Sequence, residues 1–248
     1  MPTDPKKRQK KLARKEAKRK EKRQAIAREQ TVSIPDRIRA STSAPILDCF
    51  VSSTLFGEEG IGWVLVSREL QHRKVALGAF LIDRFCLGVK NALADVRNRS
   101  DYERRFVERI QGQNPQEIDL AKARKIVNDA VDYARSIGFS PHDDYHRAVL
   151  IFGDEDGSSC EENFEFGKDG APHYMSGPND SEERIQQIIH TLNQTCGEGN
   201  YHFVIADPRS FKIRPRKGSV SVPAEESSGE KIEQEVTPTE TEEPPESS

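Results

Sequence analysis

PILDCFVSSTLFGEEGIGWVLVSRELQHRKVALGAFLIDRF, residues 45–85, holds three apolar runs separated by short polar turns. Residues 46–51 are rich in β-formers, Gly57-Glu58-Glu59-Gly60 is a turn, and residues 61–66 form a second run. Gln71-His72-Arg73-Lys74 is a second polar turn, and residues 75–85 are a third, mostly apolar run. Strand-length runs joined by turns this short predict an antiparallel meander. Gly78, inside the third run, marks a bulge or a place of close packing.

Downstream the period changes. Cys86-Leu87-Gly88-Val89-Lys90-Asn91-Ala92-Leu93 reads as the opening of a helix, unless the strand runs on to Val89. Ser100 is placed to N-cap a helix through Ile110, with Glu103 completing a capping box. In residues 118–137, Leu120, Ala123, Ile126, Val127, Ala130, Val131 and Ala134 recur at helical spacing, and Gly138 follows as a stop. Ser140-Pro141 predicts a further helix to about Ile151, ending at Gly153. Alternation in Phe164-Glu165-Phe166 and Pro172-His173-Tyr174-Met175 around Lys168-Asp169-Gly170 predicts a hairpin. A helix follows from Ser181, with Ile185, Ile188, Ile189 and Leu192 on its apolar face, and then a last strand over residues 200–206. The expected fold is α+β: an antiparallel sheet, its meander joined by the later hairpin and final strand, with helices packed on one side.

Upstream and at the far end, charge takes over. Residues 1–30 carry 13 Lys and Arg against 4 Asp and Glu, a net +9. Residues 219–248 carry 1 Lys against 9 Glu, a net −8, so the formal −3 of the whole chain hides a polarised molecule. The expected organisation is a basic, disordered or partly helical arm and linker over residues 1–44, one α+β domain over 45–212, and an acidic Pro/Glu/Ser-rich disordered tail over 213–248. Residues 33–44 read as a polar linker. No apolar stretch follows the basic start, and no run approaches the ~18 apolar residues of a membrane span. The expectation is a cytoplasmic protein, or a nuclear one in a eukaryote, with no membrane partner. Cys49, Cys86, Cys160 and Cys196 are widely spaced and form no CxxC pair, which argues against structural zinc and for free thiols.

The arm is the strongest functional signal. Lys6, Lys7, Arg8, Lys10, Lys11, Arg14, Lys15, Lys18, Arg19, Lys20, Lys22 and Arg23 offer a dense row of cations suited to a polyphosphate backbone. The arm has no aromatic residue, so base stacking is not part of the expectation. The leading function is nonenzymatic binding of RNA or DNA, with RNA or a ribosome favoured, aided by the basic residues of 209–217. The charged arms also suit a protein-interaction module, and the acidic tail is a competitor for the arm within one chain.

The alternative is a metal-dependent hydrolase, most plausibly a nuclease. Asp48 and Asp83 lie within or at the end of apolar strands, where an ionised carboxylate needs a partner. With Asp144 and Asp154 they are the candidate catalytic acids, since strand-borne carboxylates can hold metals that activate water. Three strands with embedded acids followed by helices resemble the start of a ribonuclease-H-like nuclease, although the order of the later elements departs from it. If a helix begins at Pro141, His142 and His146 stand four residues apart on one face, the spacing for two ligands of one divalent metal, with Asp143 beside them. The bland reading makes Asp143 and Asp144 first-turn acids that complement the helix dipole. No organic cofactor is implied, and a divalent metal is the only inorganic one. Asp180 or Ser181 reads as a helix cap rather than part of an anion site. Cys86 reads as a buried thiol and residues 153–157 as an exposed acidic loop.

Overall fold

A computed structural model describes Gln9 and residues 13–20, 32–108, 112–177 and 179–205. The expectations for the acidic tail, for the basic residues of 209–217 and for most of the arm lie outside these residues. Residues 13–20 are helical and exposed throughout.

The first element packed on the core is α1, Ile34–Ala40. Ser33 caps it, accepting from the Asp36 N–H at 3.4 Å and donating to the Asp36 carboxylate at 2.6 Å. Pro35 sits in the first turn, and Ile38 is fully buried in the core. The stretch read as a linker is thus half helix, and the packed unit starts near Ser33 rather than at residue 45.

The meander forms as expected. Strands β1 (Ile46–Ser52), β2 (Ile61–Leu70) and β3 (Lys74–Asp83) pair antiparallel in sequence order. The fourth strand overturns the helix expected after Cys86. The chain turns through residues 84–87 and returns as β4, Gly88–Asn98, antiparallel to β3. A three-residue β5, Pro115–Glu117, closes the other edge, giving the order β4-β3-β2-β1-β5.

Helices cover both faces of this sheet, not one. On one face α3 (Leu120–Ser136) buries Ala123, Ile126, Val127, Ala130, Val131 and Ala134, as its spacing predicts. All of these but Ala134 pack in one cluster with Val64, Val66, Ala76, Phe80 and Ile82 of the sheet. Each large aliphatic side chain removed from water here contributes roughly 1.5–3 kcal/mol. Asp119 caps α3 through the Lys122 N–H at 2.7 Å, and Gly138 (φ +90°) ends it. The opposite face, with Leu65, Val75, Leu77 and Ala79, is covered by α2, Arg99–Tyr102, which widens into a π turn over Glu103–Val107. Asn98, not Ser100, stands at its N-cap, and Glu103 pairs with Arg99 instead of closing a capping box.

Ser140-Pro141 starts no helix. The helical turn α4, Tyr145–Ala148, begins four residues later and tightens into a 3-10 turn, Val149–Phe152, ended by Gly153 at φ +65°. Gly78 of β3 lies beneath it: a Cβ there would sit 2.7 Å from the Ala148 carbonyl and 2.7 Å from Ile151. Close packing, not a bulge, explains that glycine. Arg68, 6% exposed, lies in the same region and donates to the carbonyls of Ile151, Thr42 and Ala44 at 2.8–2.9 Å. Desolvation pushes its pKa down.

The expected hairpin reduces to one bridge, Lys168 with Ala171, around a turn with positive φ at Asp169 and Gly170. Residues 164–166 form no strand. β6 (His173–Met175) pairs instead with the last strand β7 (His202–Val204), and in parallel. The helix α5, Glu182–Cys196, connects them. These two strands make a separate small sheet, so neither joins the five-stranded one. With α5 they enclose a second cluster, built on Leu87, Ile137, Tyr174, Ile188, Leu192 and Tyr201. No helix among the described residues is long and apolar enough to cross a membrane.

Candidate functional site

The carboxylates suspected of catalysis do not meet. Asp48 on β1 is opposite Ser67 of β2, and Asp83 on β3 is opposite Ile61 of β2. Those partners are six residues apart on one strand, about 20 Å at ~3.3 Å per residue. Asp48 accepts the Tyr102 hydroxyl at 2.6 Å and lies 3.4 Å from the Ser67 hydroxyl, which itself is 3.0 Å from Tyr102. Burial and the Asp48 hydrogen bond push the Tyr102 phenol pKa up, so it stays a donor. This polar triad fastens α2 to the sheet. Asp83, 3% exposed, accepts the Phe85 and Cys86 N–H groups at 3.0 and 3.1 Å and shapes the β3–β4 turn. Burial pushes its carboxyl pKa up, against the nearby Lys90 charge and these N–H bonds. Neither acid takes an arginine: Arg68 holds carbonyls, and Arg84 reaches the carbonyls of Gly57 and Glu165. Asp144 pairs with Arg147 at 3.0 Å, and Asp154 is exposed.

His142 and His146 do not share a helix face. The helix opens only at Tyr145, and the His142 Nδ1 accepts the Asp144 N–H at 3.1 Å in the preceding loop. His146 is exposed, edge-on to Tyr145. Among the described residues no group of three His, Cys, Asp or Glu is placed to hold a metal ion. Cys86 is fully buried, and burial pushes its thiol pKa well up, which makes it inert as a nucleophile. Ser181 caps α5, accepting from the Arg184 N–H at 3.3 Å.

Of the arm, the described part includes Arg14, Lys15, Lys18, Arg19 and Lys20, all exposed on the helical segment. Lys6, Lys7, Arg8, Lys10, Lys11, Lys22 and Arg23 lie outside the described residues. Arg14 with Lys18, and Lys15 with Arg19, are like-charge pairs at i,i+4. Each destabilises an isolated helix by about 0.2–0.5 kcal/mol.

One site has no single sequence signal. A cleft of about 480 Å³ opens between the start of β4, the loop after α3, and α5. Leu87, Ile188, Phe139 and Pro141 are its apolar lining, and Val89 borders it with the side chain packed in the main core. Arg184, Gln187, Ile188 and Thr191 enter from one face of α5, as their i, i+3, i+4, i+7 spacing requires. Lys90 and His142 come from the other side. The His142 N–H donates to the Val89 carbonyl at 2.9 Å, pinning the loop to β4.

The placement of Lys90 follows from a β-bulge. In the β3–β4 ladder Leu81 is opposite Asn91 and Ile82 is opposite Val89, so Lys90 is the extra residue. Even-numbered Ala92, Ala94 and Val96 face the main core. Strict alternation would send Lys90 there too. The bulge gives that place to Val89 and turns Lys90 into the cleft, which is the re-aiming bulges commonly perform. Across the cleft, Arg184 is steadied through Nε, 3.3 Å from the Asp180 carboxylate. That carboxylate is otherwise engaged by the Tyr174 hydroxyl at 3.0 Å and the Gly177 N–H at 2.7 Å.

Compared with protein-family models, curated proteins and solved structures, the chain finds no match.

Proposed function

We propose that the protein binds nucleic acid without catalysing a reaction on it, through the basic arm, with RNA or a ribosome as the favoured partner. The supporting observation is the exposed helical segment 13–20, whose five cations include two unfavourable i,i+4 pairs. Phosphates laid along the segment relieve that repulsion and release counterions. The absence of aromatic residues from residues 1–30 points to backbone contact independent of sequence. The hydrolase reading gains no support, because Asp48 and Asp83 are separately occupied with hydrogen bonds of the fold.

The test is binding to single-stranded and duplex RNA and DNA across a salt series, with the full chain and with a chain lacking residues 1–30. A protein contacting 6–10 phosphates loses about 10³–10⁵ in affinity between 50 and 200 mM salt. The expected result is a steep slope that the deletion flattens. Affinity unchanged by the deletion, or by salt, refutes the proposal.

A further inference from the structure

We infer that the cleft between β4 and α5 binds a small organic phosphate, a monoester about the size of a mononucleotide. Four observations carry this beyond the arm. First, the bulge expels Lys90 from the apolar face and puts it on the cleft wall, where it is half-buried and has no hydrogen bond or ion pair to any described residue. Its charged neighbour is Asp83, whose carboxylate is turned to the Phe85 and Cys86 N–H groups, so the half-buried lysine lacks a hydrogen-bonded acceptor and can take one from an anionic ligand.

Second, Arg184 stands on the opposite wall, its side chain 54% exposed and its Nε 3.3 Å from the Asp180 carboxylate, and its guanidinium is a planar fork suited to bidentate contact with a phosphate. Two cations on facing walls match a dianionic phosphate monoester better than a monoanionic carboxylate. Of the neighbouring acids, Asp180 is spent on Tyr174, Gly177 and Arg184, Asp83 is turned to the Phe85 and Cys86 N–H groups, and Asp143 lies exposed at the rim.

Third, the remaining polar groups favour an acceptor-rich ligand. With Nδ1 of His142 accepting from Asp144, Nε2 carries the ring proton and is a donor, and Gln187 adds an amide. Fourth, about 480 Å³ lies within the range of small-molecule sites, and Phe139 and Pro141, both half-buried, are the apolar lining residues with surface left for the organic part.

The test uses the full chain, labelled with ¹⁵N and titrated with 5′-AMP, with inorganic phosphate and with acetate at near-physiological salt. The expected result is saturable shifts of the Val89, Lys90, His142 and Gln187 amides with AMP, weaker ones with phosphate, and none with acetate. Lys90→Met should weaken AMP binding by about tenfold or more. Gln187→Glu, a change at an exposed helix position that leaves the fold intact, should do so too, by placing a negative charge on the wall. No saturable shift at these amides up to about 10 mM ligand, a limit of very weak binding, overturns the inference. So do shifts confined to the arm, or an affinity that neither variant changes. Because the shifts are read residue by residue, failure here leaves the arm's nucleic-acid binding a separate question.

Discussion

Replacing Gly88 by alanine separates two costs that the β3–β4 turn imposes together. Gly88 has φ +59°, and a Cβ built on it would lie 2.4 Å from the Ala130 carbonyl oxygen and 2.6 Å from the Ala134 methyl. A left-handed conformation costs an L-residue about 1–2 kcal/mol. Forcing a methyl between a strand and the backbone of a helix costs about 1–3 kcal/mol more. Gly88→Ala should therefore lose roughly 2–5 kcal/mol, a large part of the ~5–15 kcal/mol that holds a domain together. Two controls isolate the parts. Gly170 has φ +84° and a Cβ built on it would meet no neighbouring atom within 4 Å, so Gly170→Ala should cost only the conformational ~1–2 kcal/mol. Gly78 lies in a strand against the Ala148 carbonyl, so Gly78→Ala should cost only the steric ~1–3 kcal/mol. Urea unfolding followed by circular dichroism gives all three from the midpoint shift at constant slope. If Gly88→Ala falls within ~0.5 kcal/mol of Gly170→Ala, the agreement expected of independent sites, then α3 does not press on the turn as described.

Tyr102→Phe removes a hydrogen bond to a charged acceptor, worth about 1.5–3 kcal/mol, but leaves Asp48 near Ser67 and partly in water. The expected loss is about 1–2 kcal/mol, a fall in Tm of roughly 2–8 °C, and an unchanged Tm would show that the triad does not fasten α2. Asp83→Asn should stabilise the protein at pH 7. Burial raises the Asp83 pKa, so the stability linked to its protonation is complete below the unfolded value of about 3.9 and is lost as pH rises through the folded value. Asparagine keeps a carbonyl for the Phe85 and Cys86 N–H groups, and its advantage in urea midpoint should shrink toward pH 4; an advantage independent of pH contradicts the assignment. Among the thiols, Cys160 and Cys196 should react with a disulfide reagent at pH 8 in the native state. Cys86, fully buried, and Cys49, its pKa pushed up to about 12 by burial and the nearby Asp119 and Glu117, should react only on unfolding. Fast labelling of all four thiols counts against the buried assignments. Removing residues 219–248 should tighten nucleic-acid binding, since the tail's net −8 competes with the arm's +9, and an unchanged affinity removes that competition from the account.

The parts of the fold that the sequence discloses are those set by local period. β1 to β3 are apolar runs between polar turns, and α3 repeats its apolar residues at helical spacing. β4 was hidden because residues 88–98 mix two Ala, two Asn, a Gly, an Asp, a Lys and an Arg among only two Val, with little β propensity. The bulge at Lys90 also breaks its alternation. β5 is three residues that become a strand only because β1 offers a free edge. At α1 the signal is legible: Ser33-Ile34-Pro35-Asp36 is a cap, a first-turn proline and an acid in register. The parallel pairing of β6 with β7 depends on α5 bringing together strands 29 residues apart in register, His173 with His202, which no local pattern encodes. The cleft was illegible for the same reason. Lys90, His142 and Arg184 belong to three segments, and the bulge that aims Lys90 carries no residue signature of its own.

The second apolar cluster has a bearing on how the molecule opens. Tyr174, Ile188, Leu192 and Tyr201 pack with Leu87 and Ile137, while α3 and the main sheet keep a core of their own. β6, α5 and β7 thus rest on a small nucleus, moored through the β3–β4 turn and the end of α3. A nucleus of that size is the material of a subglobal unfolding unit, whose amides exchange through a cheaper opening than those of the sheet. The cleft lies along the mooring. Whatever bridges Lys90 and Arg184 ties the smaller unit to the larger, and the mark of its arrival is slower exchange in α5 and β7 while β2 and β3 stay as they were.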